Sequence, residues 1–117
     1  MQNFLFILND PPYGTERSYN GVRLARGMLE AGNCAVRVFL IGDGAACGKA
    51  GQKVPQGYYN LGDMLGGVIR RGGEVAVCGT CIDARGIADN DLISGAQRGS
   101  MAQLVEWTQW ADKVVSF

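Results

Sequence analysis

The sequence predicts a single α/β domain over residues 1–117, with a parallel sheet carrying helices on both faces. Three observations lead there. The apolar run at residues 4–8 is too continuous for a strand wetted on one side, as expected of one buried on both faces, and residues 35–41 alternate toward another buried strand. Stretches with helical spacing separate the runs. Finally, 47% of residues are hydrophobic and eleven Lys plus Arg balance eleven Asp plus Glu, so the chain can bury a core and lacks the charge excess of a disordered one.

Residues 4–8 end in the turn-rich Asn9-Asp10-Pro11-Pro12-Tyr13-Gly14, the pattern of a central strand and its exit. A helix follows, from a Thr15 N-cap to a stop at Gly32, with Val22, Ala25, Met28 and Leu29 on one face. Arg17, Arg23, Arg26 and Glu30 fall on its wetter side. Residues 35–41 make the second strand, broken by Gly42-Asp43-Gly44. Residues 45–59 carry no sustained period, so a short helical turn and then a long loop are expected, a length that points to a functional or interface role.

Asn60 caps the clearest helix, with Leu61, Met64, Leu65, Val68 and Ile69 in one stripe and Gly72-Gly73 at its end. Residues 74–77 give a third strand, and Cys78-Gly79-Thr80-Cys81 sits where it finishes. A short helix over 82–88, a brief fourth strand over 93–96, a Ser100-capped helix through Ala111 and a last strand over 113–117 complete the pattern. The last helix bears Trp107 and Trp110 as well as Met101, Leu104 and Val105. That apolar surface wraps too far round for one core stripe, so either the helix is sandwiched inside the monomer or part of it meets another subunit, and in so small a chain the second is expected.

Composition excludes several chemistries. With no histidine, the chain has no Ser-His or Cys-His pair and lacks the commonest metal ligand and general base. Balanced charge argues against nucleic acid and membrane surfaces as partners. Gly44-Ala45-Ala46-Cys47-Gly48-Lys49-Ala50 has the wrong glycine spacing for a phosphate loop, and no GxGxxG follows a strand. A flavin phosphate cradle after the first strand is disfavoured, because Pro11 and Pro12 remove amide donors and Glu16 would repel the phosphate. No cofactor is expected.

The chemistry then rests on the cysteines, Cys34, Cys47, Cys78 and Cys81. Residues 4–8 are too short and lack the basic flank of a signal peptide, so a cytoplasmic chain is expected, where a close cysteine pair means metal or redox chemistry more often than a structural disulfide. Zinc would need two further ligands that the sequence does not supply nearby, so no metal is expected. Cys34 and Cys47 suit small apolar packing roles. Cys78 stands at a strand end, where the following helix aims unpaired N–H groups at it and favours thiolate, the nucleophilic form. Arg85 would add a cation one turn on, and Asp83 would oppose it. In parallel sheets ligands gather beyond the carboxyl ends of the strands, which here gathers Tyr13, Gly14, Thr15, Glu16, Asp43, Gly79 and Thr80 as a substrate crevice.

Several segments together carry a family resemblance. They are Pro12-Tyr13-Gly14-Thr15-Glu16, Asn20 with Arg23-Leu24-Ala25, Val38-Phe39-Leu40, the stretch from Cys78 through Arg85-Gly86-Ile87, Trp107-Thr108, and Ala111-Asp112-Lys113-Val114. Nearly end to end, the chain resembles the YchN-like branch of the DsrE/DsrF family. The resemblance implies a three-layer α/β/α sandwich with a five-stranded parallel sheet, a trimer-of-dimers-like hexamer, and a cysteine that carries sulfane sulfur as a persulfide, as in the sulfur-relay DsrE and TusD proteins. The carried-over cysteine is Cys78, with Arg85 and Gly86 completing its motif. Cys81 departs from the sulfur-relay pattern but suits the YchN-like branch, and a second thiol can resolve a persulfide into a disulfide.

Three functions follow as expectations: a sulfur carrier or sulfurtransferase-like protein working through Cys78, a dithiol oxidoreductase using Cys78 and Cys81, or an oligomeric binding module without turnover. The first expects sulfur donor and acceptor proteins or small thiols as partners.

Overall fold

A computed structural model describes residues 1–117. Its strands are β1 (Gln2–Leu8), β2 (Cys34–Leu40), β3 (Glu74–Cys78), β4 (Gln97–Gly99) and β5 (Lys113–Ser116). Its helices are α1 (Arg17–Ala31), α2 (Leu61–Arg70), α3 (Gly79–Ala84) and α4 (Met101–Trp110). Two 3-10 segments, Gly42–Gly48 and Asp89–Asp91, lie between them. All strand pairs are parallel, in the order β4-β3-β2-β1-β5.

Strand alternation divides the core in two. Phe4, Phe6 and Leu8 of β1, with Val36, Val38 and Leu40 of β2, face Val22 and Ala25 of α1 and Leu61, Leu65 and Val68 of α2. The intervening residues Leu5, Phe39 and Ala76 face the other way and pack against Trp107 of α4. Both faces of β1 and β2 are therefore covered, which is why they run largely apolar, with Arg37 the one charged residue in either strand.

Trp107 is a core residue, 5% exposed and edge-on to Phe39 with ring centroids 6.1 Å apart. Trp107 is thus sealed inside the chain, while Trp110 is half-buried. Arg37 of β2 covers both rings, its guanidinium carbon 5.2 Å from the centroid of Trp107 and 4.0 Å from that of Trp110. The apolar surface of α4 left in the open is Met101 and Val105, 62% and 51% exposed.

Helix starts follow the sequence at two places, where Asn60 Oδ1 accepts from Asp63 N at 3.1 Å and Ser100 Oγ accepts from Gln103 N at 3.2 Å. α1 begins differently. Its N-cap is Glu16, with no side-chain cap, while Thr15 Oγ1 accepts from Arg17 N and donates to Asp10. The fourth strand is also displaced, lying at Gln97–Gly99 and not over 93–96. Ile93 N donates to Gly48 O, Ala96 N closes a turn onto Ile93 O, and Gly95 takes a φ of 90°, so this stretch spends its backbone on a turn before pairing with β3. α3 starts three residues early, at Gly79, and ends before Gly86, whose φ of 68° breaks the helix.

Cys47, in the 3-10 segment, is fully buried; burial pushes its thiol up to about 12, only partly opposed by the Ser18 hydroxyl. Its folded pKa lies above its unfolded 9.0, so its contribution to stability is intact below pH 9.0 and is lost as pH rises toward 12. Chemical denaturation across that range should show an alkaline loss on the order of 2–4 kcal/mol that Cys47→Ala removes. An equal loss in the variant would assign it to other groups.

Candidate functional site

The carboxyl end of the sheet carries the cysteine pair. Cys78 closes β3 and is the N-cap residue of α3, and Cys81 lies within the first turn of that helix. Both thiols are half-buried, and all four cysteines of the chain are free. The Cys78 side chain joins the α4 side of the sheet, beside Phe39 and Ile41. It opens into a hollow of about 260 Å³ walled by Phe39, Ile41, Gly79, Thr80, Arg98 and Met101.

The two sulfurs differ in their electrostatics. Burial pushes the Cys78 thiol up, but hydrogen bonds from the Cys81 thiol, the Thr80 hydroxyl and the N–H groups of Cys81 and Thr80 outweigh it, leaving its pKa below the ordinary 9.0. The Thr80 oxygen is 3.5 Å from the sulfur. Cys81 moves the other way: burial raises it, and so does the hydrogen bond it shares with Cys78. Gly42 N donates to Cys81 Sγ at 3.2 Å and only partly offsets this. Of the two thiols, Cys78 is therefore the readier to ionise and Cys81 the readier to keep its proton.

The nearby charges are occupied. Arg85 donates to Asp43 Oδ1 at 2.6 Å and to Cys81 O at 3.0 Å, tying α3 to the 3-10 segment after β2. Arg98 donates to both oxygens of Asp83, at 2.9 and 2.7 Å, and to Asp89 at 3.0 Å. With Arg85 and Asp83 each engaged by an opposite charge, amide, hydroxyl and thiol donors set the state of Cys78.

Of the residues expected in the crevice, Gly79 and Thr80 adjoin Cys78 in the hollow, and Asp43 reaches the pair through Arg85. Tyr13, Gly14, Thr15 and Glu16 are not brought to it. Gly14, Thr15 and Glu16 line a separate hollow of about 210 Å³ with Tyr58 and Tyr59. Tyr13 packs against those two rings, donating its hydroxyl to Tyr59 O and accepting from Leu61 N. The loop before α2 folds these aromatics over the first turn, a contact no local pattern announces.

Sequence reasoning missed Arg98. Its partner Asp83 is fifteen residues away, and its guanidinium passes so close over Gly79 that a Cβ there would lie 2.6 Å from Arg98 Nε. The only local sign is a glycine between the two functional groups Cys78 and Thr80.

A parallel five-stranded sheet with a thiolate-favouring cysteine at the end of a central strand defines an α/β protein with a strand-end dithiol site. The profile of the DsrE/DsrF-like family matches residues 2–117, and the chain belongs to that family. Protein YchN of Escherichia coli strain K12 is 39% identical over 118 residues, covering 100% of both chains. An uncharacterised protein of Methanopyrus kandleri is 39% identical over 95% of this chain and 90% of its own. The crystal structure of the E. coli YchN protein superposes with a TM-score of 0.94 over 100% of both chains.

Proposed function

We propose that the protein carries sulfane sulfur as a persulfide on Cys78. The observation that carries this reading is the placement of a thiolate-favouring sulfur at the wall of an open hollow. Cys78 thiolate attacks the outer sulfur of a donor persulfide, forming the Cys78 S–S bond and breaking the donor's, and the donor leaves as thiolate. Sulfur changes carrier without net oxidation, so no redox partner is required. The donor and acceptor are persulfide- and thiol-bearing proteins or small thiols. A homo-oligomer is part of the same proposal, supported by the exposed Met101 at the wall of the hollow and Val105 one turn on along α4, and tested by sedimentation; a monomer at all working concentrations contradicts it.

Cys81 gives the stored sulfur an exit. Its thiol attacks the inner sulfur of the Cys78 persulfide, yielding the Cys78–Cys81 disulfide and hydrogen sulfide, which balances in atoms and electrons. Cys81→Ser should slow sulfide release from the loaded protein by about tenfold or more while leaving loading intact, as followed with a sulfide electrode. Unchanged release in this variant contradicts the resolving role.

The opposite shifts of the two thiols, one lowered and one raised, favour a second reading, a dithiol oxidoreductase. That reading expects the pair to close under oxidant with loss of two hydrogens and to equilibrate with glutathione. A pair that closes only on unfolding eliminates it.

A further inference from the structure

On the side of the sheet opposite the Cys78 thiol, three guanidinium groups converge over one glycine. A Cβ on Gly67 of α2 would lie 3.4 Å from Arg71 Nη1, 3.7 Å from Arg26 Nε and 3.7 Å from Arg70 Nη2. Arg23, one turn before Arg26 on α1, lines with it, Gly27, Glu30 and Met64 a hollow of about 220 Å³. Glu30 is the one carboxylate paired with any of these four cations. Glu30 stands 3.6 Å from Arg26 and 3.4 Å from Arg71. Arg23 otherwise donates to Asn20 and Arg71 to the Gly67 carbonyl. Arg70 has no acceptor, and Arg26 Nε is buried without one.

The chain as a whole is neutral, so the excess is local. Guanidinium groups this close repel one another unless an anion bridges them, and their planar forks suit the paired oxygens of a tetrahedral oxyanion. Gly67, itself buried, lets the three side chains close on one point of α2, and a buried donor that finds no acceptor, as at Arg26 Nε, is a costly group to retain without a ligand. We propose that the α1–α2 groove binds a dianionic phosphate or sulfate group through Arg26, Arg70 and Arg71, with Arg23 at the rim. Glu30 orients two of the arginines and its charge opposes the anion, so the affinity is modest.

The test is thermal unfolding of the intact protein titrated with inorganic phosphate, with sodium sulfate, and with sodium chloride at matched ionic strength. A saturable rise in melting temperature with either dianion beyond chloride, diminished in the arginine variants, supports the site, because the rise that kosmotropic salts give any protein neither saturates nor depends on these residues; the arm that saturates at the lower concentration identifies the group preferred. Arg70→Ala, which breaks no ion pair, should weaken the half-saturating dianion concentration by about tenfold. Glu30→Gln should tighten it by a similar factor. A response equal to that of chloride overturns the proposal, and so does a full dianion response retained in both Arg70→Ala and Arg26→Ala.

Discussion

Cys78→Ser should abolish uptake of sulfur from a persulfide donor. Wild-type protein incubated with the donor and weighed intact gains one sulfur atom, and the variant's loading rate falls by about a hundredfold or more, because a serine hydroxyl does not ionise in the range where a thiol supplies its nucleophilic form. The fold should survive. Cys78 is half-buried at a strand end and its packing partners Phe39 and Ile41 are unaffected, so the stability cost should stay within about 1 kcal/mol. Retention of the adduct in the variant would move the chemistry to Cys34, Cys47 or Cys81.

Gly44→Ala should be the most damaging small substitution near the site. The 3-10 segment crosses the end of β1 so closely that a Cβ on Gly44 would lie 2.1 Å from Leu8 O and 2.8 Å from Leu8 C. Both neighbours are backbone, and they are fixed: Gly44 N donates to Asn9 O and Ile41 N to Leu8 O. No rotamer relieves that overlap, so the segment must lift, at a cost of about 3 kcal/mol or more, which corresponds to a fall of about 10 °C or more in Tm. The same segment presents the Gly42 N–H to Cys81 and Asp43 to Arg85, so the change should raise the Cys81 thiol pKa further. Where Gly44→Ala fails to fold, Gly42→Ala gives a milder probe. Gly42 has a φ of 58° but open space around it, and the cost should be about 1 kcal/mol. Thermal unfolding with wild-type Tm in Gly44→Ala would contradict the packing at this crossing.

Much of the architecture is legible where burial leaves a local trace. β1 and β2 have dry surfaces above and below, and their residues run apolar accordingly. Asn60 and Ser100 cap helices by bonds to residues three positions on, which sequence spacing expresses directly. β4 leaves no such trace: Gln97-Arg98-Gly99 is a three-residue edge strand whose pairing with β3 is its only identity, while the more apolar 93–96 packs in a turn. The cysteine pair is legible because four consecutive residues contain it. The wall of its hollow is not, since Ile41, Arg98 and Met101 come from three different elements. Tyr13 to Glu16 are drawn elsewhere by the 58–59 aromatics, a long-range choice invisible in either segment alone.

The central claim is that Cys78 ionises before Cys81, and site-resolved alkylation with iodoacetamide across pH measures it directly. The expected profile has the Cys78 midpoint below 9.0 and the Cys81 midpoint above it, with Cys78 the faster of the two at neutral pH. A Cys78 midpoint at or above 9.0, or a Cys81 that reacts first, would contradict it.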